Sequence, residues 1–485
     1  MMLPKIIQGG MGIGVSDWRL AGAVGRAGGL GVVSGVALDS MLARRLQDGD
    51  HDGQLRQALA HFPVPEIAEK VLTRYFRRGG RPADQPYRLV PRLNLQPSLD
   101  RLRLAVVAAF AEIHLARRAG GGARVGINLL EKIQLATPAT AYGALLADVD
   151  VVLVGAGIPA RLPRLLSDLA AQRPVDFPID VAGAGPSRHT MRFDPVAVLG
   201  RTLAAVRPLF FAIVSSNTLA TYLARDAATR PDGFVVEGGT AGGHNAPPRG
   251  ALRLDGQGNP VYGPRDAADV AQFAQLGLPF WLAGGYSQPE RVAAACAAGA
   301  AGVQVGTLFA LSRDSNLAPS LRRELLAALR AGYPEVRTDP RASPTGFPFK
   351  VTQVPGTLSD AAVYEQRPRV CDLSYLRIPY EKPDGTIGYR CPAEPVDAYL
   401  RKGGERAATV GRVCLCNALM AAVGLAQRQH DGGSEPAIST LGADLDGARE
   451  LLARHPDGWG AADVIAYLSG QSPAPAGPDG RPLAN

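Results

Sequence analysis

No run of roughly 18 apolar residues occurs anywhere in the 485-residue chain, so no segment reads as a membrane-spanning helix. The N-terminus, MMLPKIIQGG, lacks the charged, apolar and small-residue order of a secretory signal, and the expected location is the cytosol. Cysteine is scarce: five residues in a chain of this length do not make a disulfide framework. The net charge of +8 comes mostly from scattered arginines, and no compact basic stretch is interleaved with aromatics. Nucleic acid and membrane are therefore not expected as partners. A diffuse positive excess suits an anionic small-molecule substrate instead. With 46% hydrophobic and 20% charged residues, the composition is that of a folded chain with a full core, which excludes wholesale disorder.

The most organised stretch is Phe280 to Thr307, FWLAGGYSQPERVAAACAAGAAGVQVGT. An apolar run ends in Gly284-Gly285, Pro289 and Glu290 open an alanine-rich helix, and a short strand, Gly302 to Val305, ends in Gly306-Thr307. Glycines at two successive strand ends let backbone N–H groups close on a phosphate, and in (β/α)8 barrels the last two loops often form such a site. An ordinary Gly-Gly turn is the plainer reading. The chain also begins with a βαβ unit: Leu3 to Gln8, a loop with Gly9, Gly10, Gly12 and Gly14, a helix from Trp18, and Leu30 to Ser34. Its glycine spacing is not that of a dinucleotide-binding turn.

Further strands are expected at Arg124 to Leu129, Val149 to Val154, Leu209 to Val214 and Gly233 to Val236. With the first two and last two they make eight, hence an α/β protein with a (β/α)8 barrel. Val175 to Val196 can hide a ninth strand. The expected organisation is a barrel from 1–35 and 123–315, a helical insertion or lid at 36–122, an extension at 316–470, and a disordered tail at 471–485. Helices are expected at Leu42 to Ala60, Leu99 to Arg118, Asn316 to Ala331, Asn417 to Gln427 and Ala461 to Leu468. The insertion can cover the catalytic face or serve as an interface, and a homodimer is one possible assembly.

Four of the five cysteines, Cys371, Cys391, Cys414 and Cys416, fall in the irregular extension with the spacing C-x19-C-x22-C-x-C. Four thiolates can close around zinc or an iron–sulfur cluster, although paired C-x2-C knuckles are missing; buried structural or redox-active cysteines are the alternative. Cys296, in the alanine-rich helix, reads as core.

Taken together, Gln8-Gly-Gly-Met11, Asn128, Gly155-Ala-Gly-Ile-Pro159, Ser215-Ser216, Glu237-Gly-Gly-Thr-Ala-Gly-Gly-His244, Gly284-Gly285 and Gln304-Val-Gly306-Thr307 resemble the nitronate monooxygenase family, formerly 2-nitropropane dioxygenases. These are FMN-binding barrels related to flavin-type enoyl-acyl-carrier-protein reductases. The segments PTGFPFK, CDLSYLR, YRCPAEP and GRVCLCN are similar to a long bacterial form filed under the same family name. The resemblance implies FMN, with phosphate at Gly284, Gly285, Gly306 and Thr307, the ring near Gly9, Gly10 and Met11, further contact at Gly243, and polar contacts from Asn128 and Gln304. Asn128 also reads as an ordinary strand-end residue. His244, behind two glycines, is the implied catalytic residue, able to take a proton or to hold a substrate oxygen; a surface-loop histidine is its plainer reading. Glu237, Glu131 and Lys132 are further polar candidates, Lys132 also reading as a solvated lysine. The chain departs from the family at Gly155-Ala156-Gly157-Ile158-Pro159, where well-defined members carry a catalytic histidine and the enoyl reductases a GAG-x-P segment. The implied activity is an FMN-dependent oxidoreductase passing substrate electrons through flavin N5 to oxygen. An NAD(P)H-dependent enoyl thioester reductase and a flavin-binding scaffold without turnover in a biosynthetic complex are the alternatives.

Overall fold

The computed structural model describes residues 4–185, 188–332, 334–429 and 432–471, so the tail expected to be disordered lies almost wholly outside the described residues. Ten strands precede residue 306: β1 (Ile6–Gln8), β2 (Gly31–Ser34), β3 (Val125–Leu130), β4 (Val151–Gly155), β5 (Val175–Ile179), β6 (His189–Phe193), β7 (Leu209–Val214), β8 (Gly233–Glu237), β9 (Phe280–Ala283) and β10 (Gly302–Val305). Eight of them form one parallel sheet in the order β1-β10-β9-β8-β7-β4-β3-β2. A parallel bridge between Ile7 and Leu30 joins the two ends, with Gln8 N donating to Leu30 O at 2.9 Å and Leu30 N to Ile6 O at 3.0 Å. The protein is a (β/α)8 barrel.

Alternation within each strand makes two cores. Ile7, Leu30, Val32, Val151, Leu153, Phe211, Val235 and Trp281 fill the barrel interior, where Phe211 and Trp281 stack at 4.6 Å. The residues between them, such as Val33, Val152, Ala212, Phe234 and Leu282, pack outward with the surrounding helices. Strands buried on both faces read as unbroken apolar runs, which is why they stand out in the sequence.

β5 and β6 form an antiparallel hairpin apart from the barrel, with Phe177 opposite Met191. The possible ninth strand is therefore this hairpin. In 36–122 the helices are Leu38–Gln47, Gln54–Ala60, Pro65–Tyr75 and Leu99–Ala119. The last packs between Trp18–Arg26 and Thr137–Leu146 and against β2 and β3, the place of the regular barrel helix after β2. The three shorter helices lie against it as an added layer.

The extension holds two antiparallel ribbons, β11 (Val336–Asp339) with β12 (Phe349–Thr352) and β13 (Ile378–Glu381) with β14 (Ile387–Arg390). The helix expected to reach Gln427 spans Leu415–Ala421, because Leu425 N bonds back to Met420 O at 3.0 Å and Gly424 N to Ala421 O at 2.9 Å, closing it in a C-terminal turn. Helix Ala461–Leu468 packs on Trp18–Arg26, and Trp459 Nε1 donates to Leu308 O at 2.8 Å.

A buried ion pair and a buried hydrogen bond join the extension to the added helices. Arg44 Nη2 lies 2.8 Å from Asp372 Oδ2, with both side chains at most 6% exposed, and Arg44 Nη1 also donates to Leu425 O at 2.6 Å. Arg101 pairs with Asp39 at 2.5 Å, and Asp39 also accepts from the Tyr375 hydroxyl. Asp372→Ala would leave the Arg44 guanidinium uncompensated, so denaturant unfolding is expected to show a loss of about 3–5 kcal/mol. The double variant Arg44→Met/Asp372→Leu should recover most of it.

Candidate active site

One cavity of about 240 Å³ opens at the C-terminal ends of the barrel strands. Gly9, Gly10, Met11, Asn128, Gly243, His244, Gly284, Gly285, Gln304, Gly306 and Thr307 all line it. The structure thus brings together every residue that the family resemblance assigns to cofactor or catalysis.

The loop after β1 is shaped from within. Buried Gln8 accepts from Val32 N at 3.0 Å and donates to Ser16 Oγ at 2.8 Å, while Ser16 Oγ accepts from Met11 N at 2.9 Å and donates to Gly9 O at 3.0 Å. Gly10 lies directly on Asn128: a Cβ there would sit 2.3 Å from Asn128 Cβ, so only glycine permits the approach. Asn128 Nδ2 donates to Gly10 O at 3.1 Å, which leaves Asn128 Oδ1 without a partner among the described residues. Gln304 Oε1, also in the wall, is likewise buried and without one. Orphaned acceptors are costly unless a ligand satisfies them. FMN fits that demand, since its ring edge offers an N–H donor and its ribityl chain offers hydroxyls.

At the other end of the cavity, Gly284 and Gly285 adopt φ of +84° and +81°. A Cβ on Gly284 would stand 2.9 Å from Ala241 N and 3.0 Å from Thr240 Oγ1. With Gly306 and Thr307 this is the glycine cradle that a single phosphate needs. The extension closes it: Gly442 N donates to Thr307 Oγ1 at 2.9 Å and Ala443 N to Thr240 O at 2.9 Å. Arg291, which the sequence reading passed over, donates to Gly285 O at 2.8 Å and stands 3.3 Å from Asp444. Its position in the first turn of the helix after Gly284-Gly285 was the available signal.

The loop after β8 is stitched to the extension. Lys350 N donates to Gly243 O at 2.8 Å, Asn245 N to Pro348 O at 2.9 Å, and Gly243 N to Thr440 Oγ1 at 2.8 Å. His244 Nε2 and Ser343 Oγ are 2.7 Å apart, and the imidazole packs edge-on against Phe349, centroids 5.0 Å apart. Burial lowers its pKa to about 4, so the ring is neutral at ordinary pH, which removes the cationic role from the two roles expected for it.

Glu237, at the end of β8, faces the same cavity. Burial raises its carboxyl to about 8 against the opposing pull of Lys350. Lys350 is itself lowered by burial to about 8, and its ammonium bonds Thr338 Oγ1. Burial thus holds the Glu237 carboxyl toward its protonated form while the Lys350 ammonium pulls it the other way. Glu131 and Lys132 do not line the cavity: Glu131 packs beneath Gly157, where burial raises it to about 7, and Lys132 Nζ stands 5.7 Å from the Phe347 ring centroid. Ser216 caps the helix Asn217–Arg225, accepting from Leu219 N at 3.2 Å.

The metal reading of the cysteines is corrected. Among the described residues no group of three or more His, Cys, Asp and Glu is placed to hold a metal ion. Cys414 stands at the N-cap position of helix Leu415–Ala421 without a side-chain capping bond, and Cys416 lies in the first turn. Burial keeps Cys391, Cys414 and Cys416 as thiols, Cys416 pushed up to about 12. Cys371 rests near Ser374 Oγ at 3.4 Å, and Cys416 instead lines the cavity. Cys296 is half-buried rather than core. Tyr375, Leu376, Leu415, Leu419 and Leu441 complete the roof, all from the extension; of 36–122 only Val36 reaches the cavity wall. Among the described residues no helix is long and apolar enough to cross a membrane.

Residues 199–333 match the family model described as nitronate monooxygenase. The matched segment runs from just before β7 through β10, and so contains the Glu237–His244 loop, Gly284-Gly285 and Gly306-Thr307. The chain is 30% identical over 204 residues to (3aS,4S,5R,7aS)-5-hydroxy-7a-methyl-1-oxo-octahydro-1H-indene-4-carboxyl-CoA dehydrogenase of Mycobacterium tuberculosis, covering 38% of this chain and 54% of the relative. It is 31% identical over 125 residues to the protein of that name from Rhodococcus jostii, covering 26% of this chain and 31% of the relative. The chain therefore spans about half, or less, of the length of the curated relatives it matches. Solved structures similar to it include the enoyl reductase domain of MlnA from Bacillus amyloliquefaciens, with 11% identity, TM-score 0.49, and coverage of 96% of this chain and 93% of that one. The nitroalkane oxidase of Streptomyces ansochromogenes gives 16% identity, TM-score 0.46, and coverage of 97% and 96%. FabK of Thermotoga maritima gives 18% identity, TM-score 0.41, and coverage of 73% and 72%.

Proposed function

We propose that this protein is an FMN-dependent oxidoreductase that reduces a conjugated carbonyl presented as a thioester, with NAD(P)H as electron donor. The observation that carries the reading is the placement of Glu237 in the wall of the same cavity as His244 and the strand-end glycines, with burial holding its carboxyl toward the protonated form. Hydride transfer at N5 is the chemistry FMN supplies when bound. Gly9, Gly10 and Met11 would hold the ring by backbone contact, Asn128 and Gln304 would accept hydrogen bonds from it, and the two glycine loops would hold its phosphate. Glu237 then delivers a proton to the carbon beside the carbonyl. With Ser343 donating to Nε2, His244 carries its proton on Nδ1 and offers it to the carbonyl oxygen.

Two further observations support a thioester. The curated relatives are named for a CoA-linked carboxyl substrate. The loop after β4 places Ala156 in the cavity wall where the family resemblance leads one to expect a histidine base. A nitronate is the second reading, favoured by the family domain and by the fact that an already deprotonated nitronate needs no base.

Anaerobic mixing with NADH, NADPH or a nitronate separates the two. Bleaching of the flavin by a nicotinamide, with colour restored by an enoyl thioester, is the expected result; bleaching by the nitronate alone would overturn the proposal. Turnover should be level near neutral pH and decline as pH rises through about 8, because the donor of the proton is then ionised. In Glu237→Gln that alkaline limb should be absent.

A further inference from the structure

Behind the main cavity lies a second, of about 30 Å³, room for about two water molecules. Ser215, Gly239, Tyr262 and Asp266 line it together with Glu237, which therefore borders both spaces. Gly238, Gly239 and Arg249 on its rim are exposed, so the cleft meets solvent.

The charges around Glu237 suit a residue that exchanges its proton. Asp266 accepts from Gly263 N and Arg249 N, each at 2.7 Å, which holds it ionised at the outer end. Tyr262 donates to Ala246 O at 3.0 Å, and burial raises its hydroxyl to about 12, so it remains a neutral wall. Arg249 is at the rim, Lys350 opposes the carboxyl from the extension, and neutral His244 faces it across the main cavity.

We infer that Glu237 is a proton relay: its carboxyl is the partition between a solvent-fed cleft and the substrate cavity, and it passes protons from the first to the second. This deepens the proposed reduction, in which each turnover consumes one hydride from NAD(P)H and one proton from solvent. When the carboxyl O–H breaks and the substrate C–H forms, the carboxylate is left beside the Lys350 ammonium. A hydronium proton reaching a cleft water restores the O–H bond, so no further reactant is needed.

Gly239 gives a way to test the route without touching the main cavity, whose wall it does not join. A Cβ there meets only the Tyr262 ring, at 3.7 Å, and a leucine would fill the cleft. The primary measurement is infrared difference spectroscopy of the flavin-replete protein mixed rapidly into D2O, following the carboxylic C=O band. Wild type should show a band that titrates away near pH 8 and shifts quickly on deuteration; Glu237→Gln should lack it. Gly239→Leu should keep the band but lose the fast exchange phase. In the holoenzyme, Gly239→Leu should lower kcat at least roughly tenfold, with KM and nicotinamide bleaching of the flavin unchanged. Exchange as fast in Gly239→Leu as in wild type would overturn the route, and no titrating band assignable to Glu237 would overturn the relay itself. Because the infrared readout needs neither substrate nor turnover, it stands even where the anaerobic mixing refutes the thioester reading.

Discussion

Gly285→Asp is expected to yield a folded protein that retains no FMN. At φ +81° an aspartate suffers left-handed backbone strain of about 1 kcal/mol, and its Cβ would stand 3.3 Å from Thr240 Oγ1. The larger effect is electrostatic, because the new carboxylate projects into the cradle that Gly284, Gly306 and Thr307 form for a dianionic phosphate. Two like charges about 4 Å apart at a partly buried site repel by about 4 kcal/mol or more, close to a thousandfold in affinity. Absorbance at saturating FMN, beside a circular dichroism spectrum matching wild type, is the measurement. Retention of stoichiometric FMN would move the phosphate elsewhere. Gly285→Ala keeps the strain without the charge and should lose far less.

His244→Ala should retain flavin yet turn over roughly 10²-fold more slowly, the scale of a positioned acid, base or hydrogen-bond donor. The histidine lines the cavity and is fixed by Ser343 at 2.7 Å and Phe349 at 5.0 Å, so its removal takes away an oriented group and leaves the fold of the barrel untouched. Ser343→Ala, which frees the ring without deleting it, should lower turnover less. Unchanged turnover in flavin-replete His244→Ala would reduce His244 to a packing residue between the β8 loop and Phe349.

The barrel was legible because strands buried on both faces appear as apolar runs ending in glycine, as at Phe280 to Gly285 and Gly302 to Thr307. That the strand-end glycines would meet at one cavity was legible for a related reason, since glycine at a strand end has few purposes besides a turn or a close approach. Helix Leu99–Ala119 was misplaced in the reading of 36–122, because its even burial matches a barrel helix but three extra helices separate it from β2 in sequence. The cysteines misled through density: the fold does bring them close enough to raise one another's thiol pKa, yet among the described residues no three donors are placed to hold a metal ion. Least legible was the extension's share of the cavity. Phe349, Tyr375 and Leu441 come from short, irregular segments, and the electrostatic relation of Glu237 to Lys350 joins residues that only the folded chain relates.

The strap formed by Pro348–Lys350 and Thr440–Ala443 across the β8 loop has a consequence for biosynthesis. All eight barrel strands have been made by residue 305, yet the residues that lock Gly243, His244 and Thr307 in place come from far later in the chain. On the ribosome, the barrel can form as an N-terminal unit while its cofactor end is still open. Firm cofactor retention is thereby expected only once residues 440–443 have been made, and a nascent chain stalled before residue 439 should hold a formed barrel with weak, rapidly exchanging flavin.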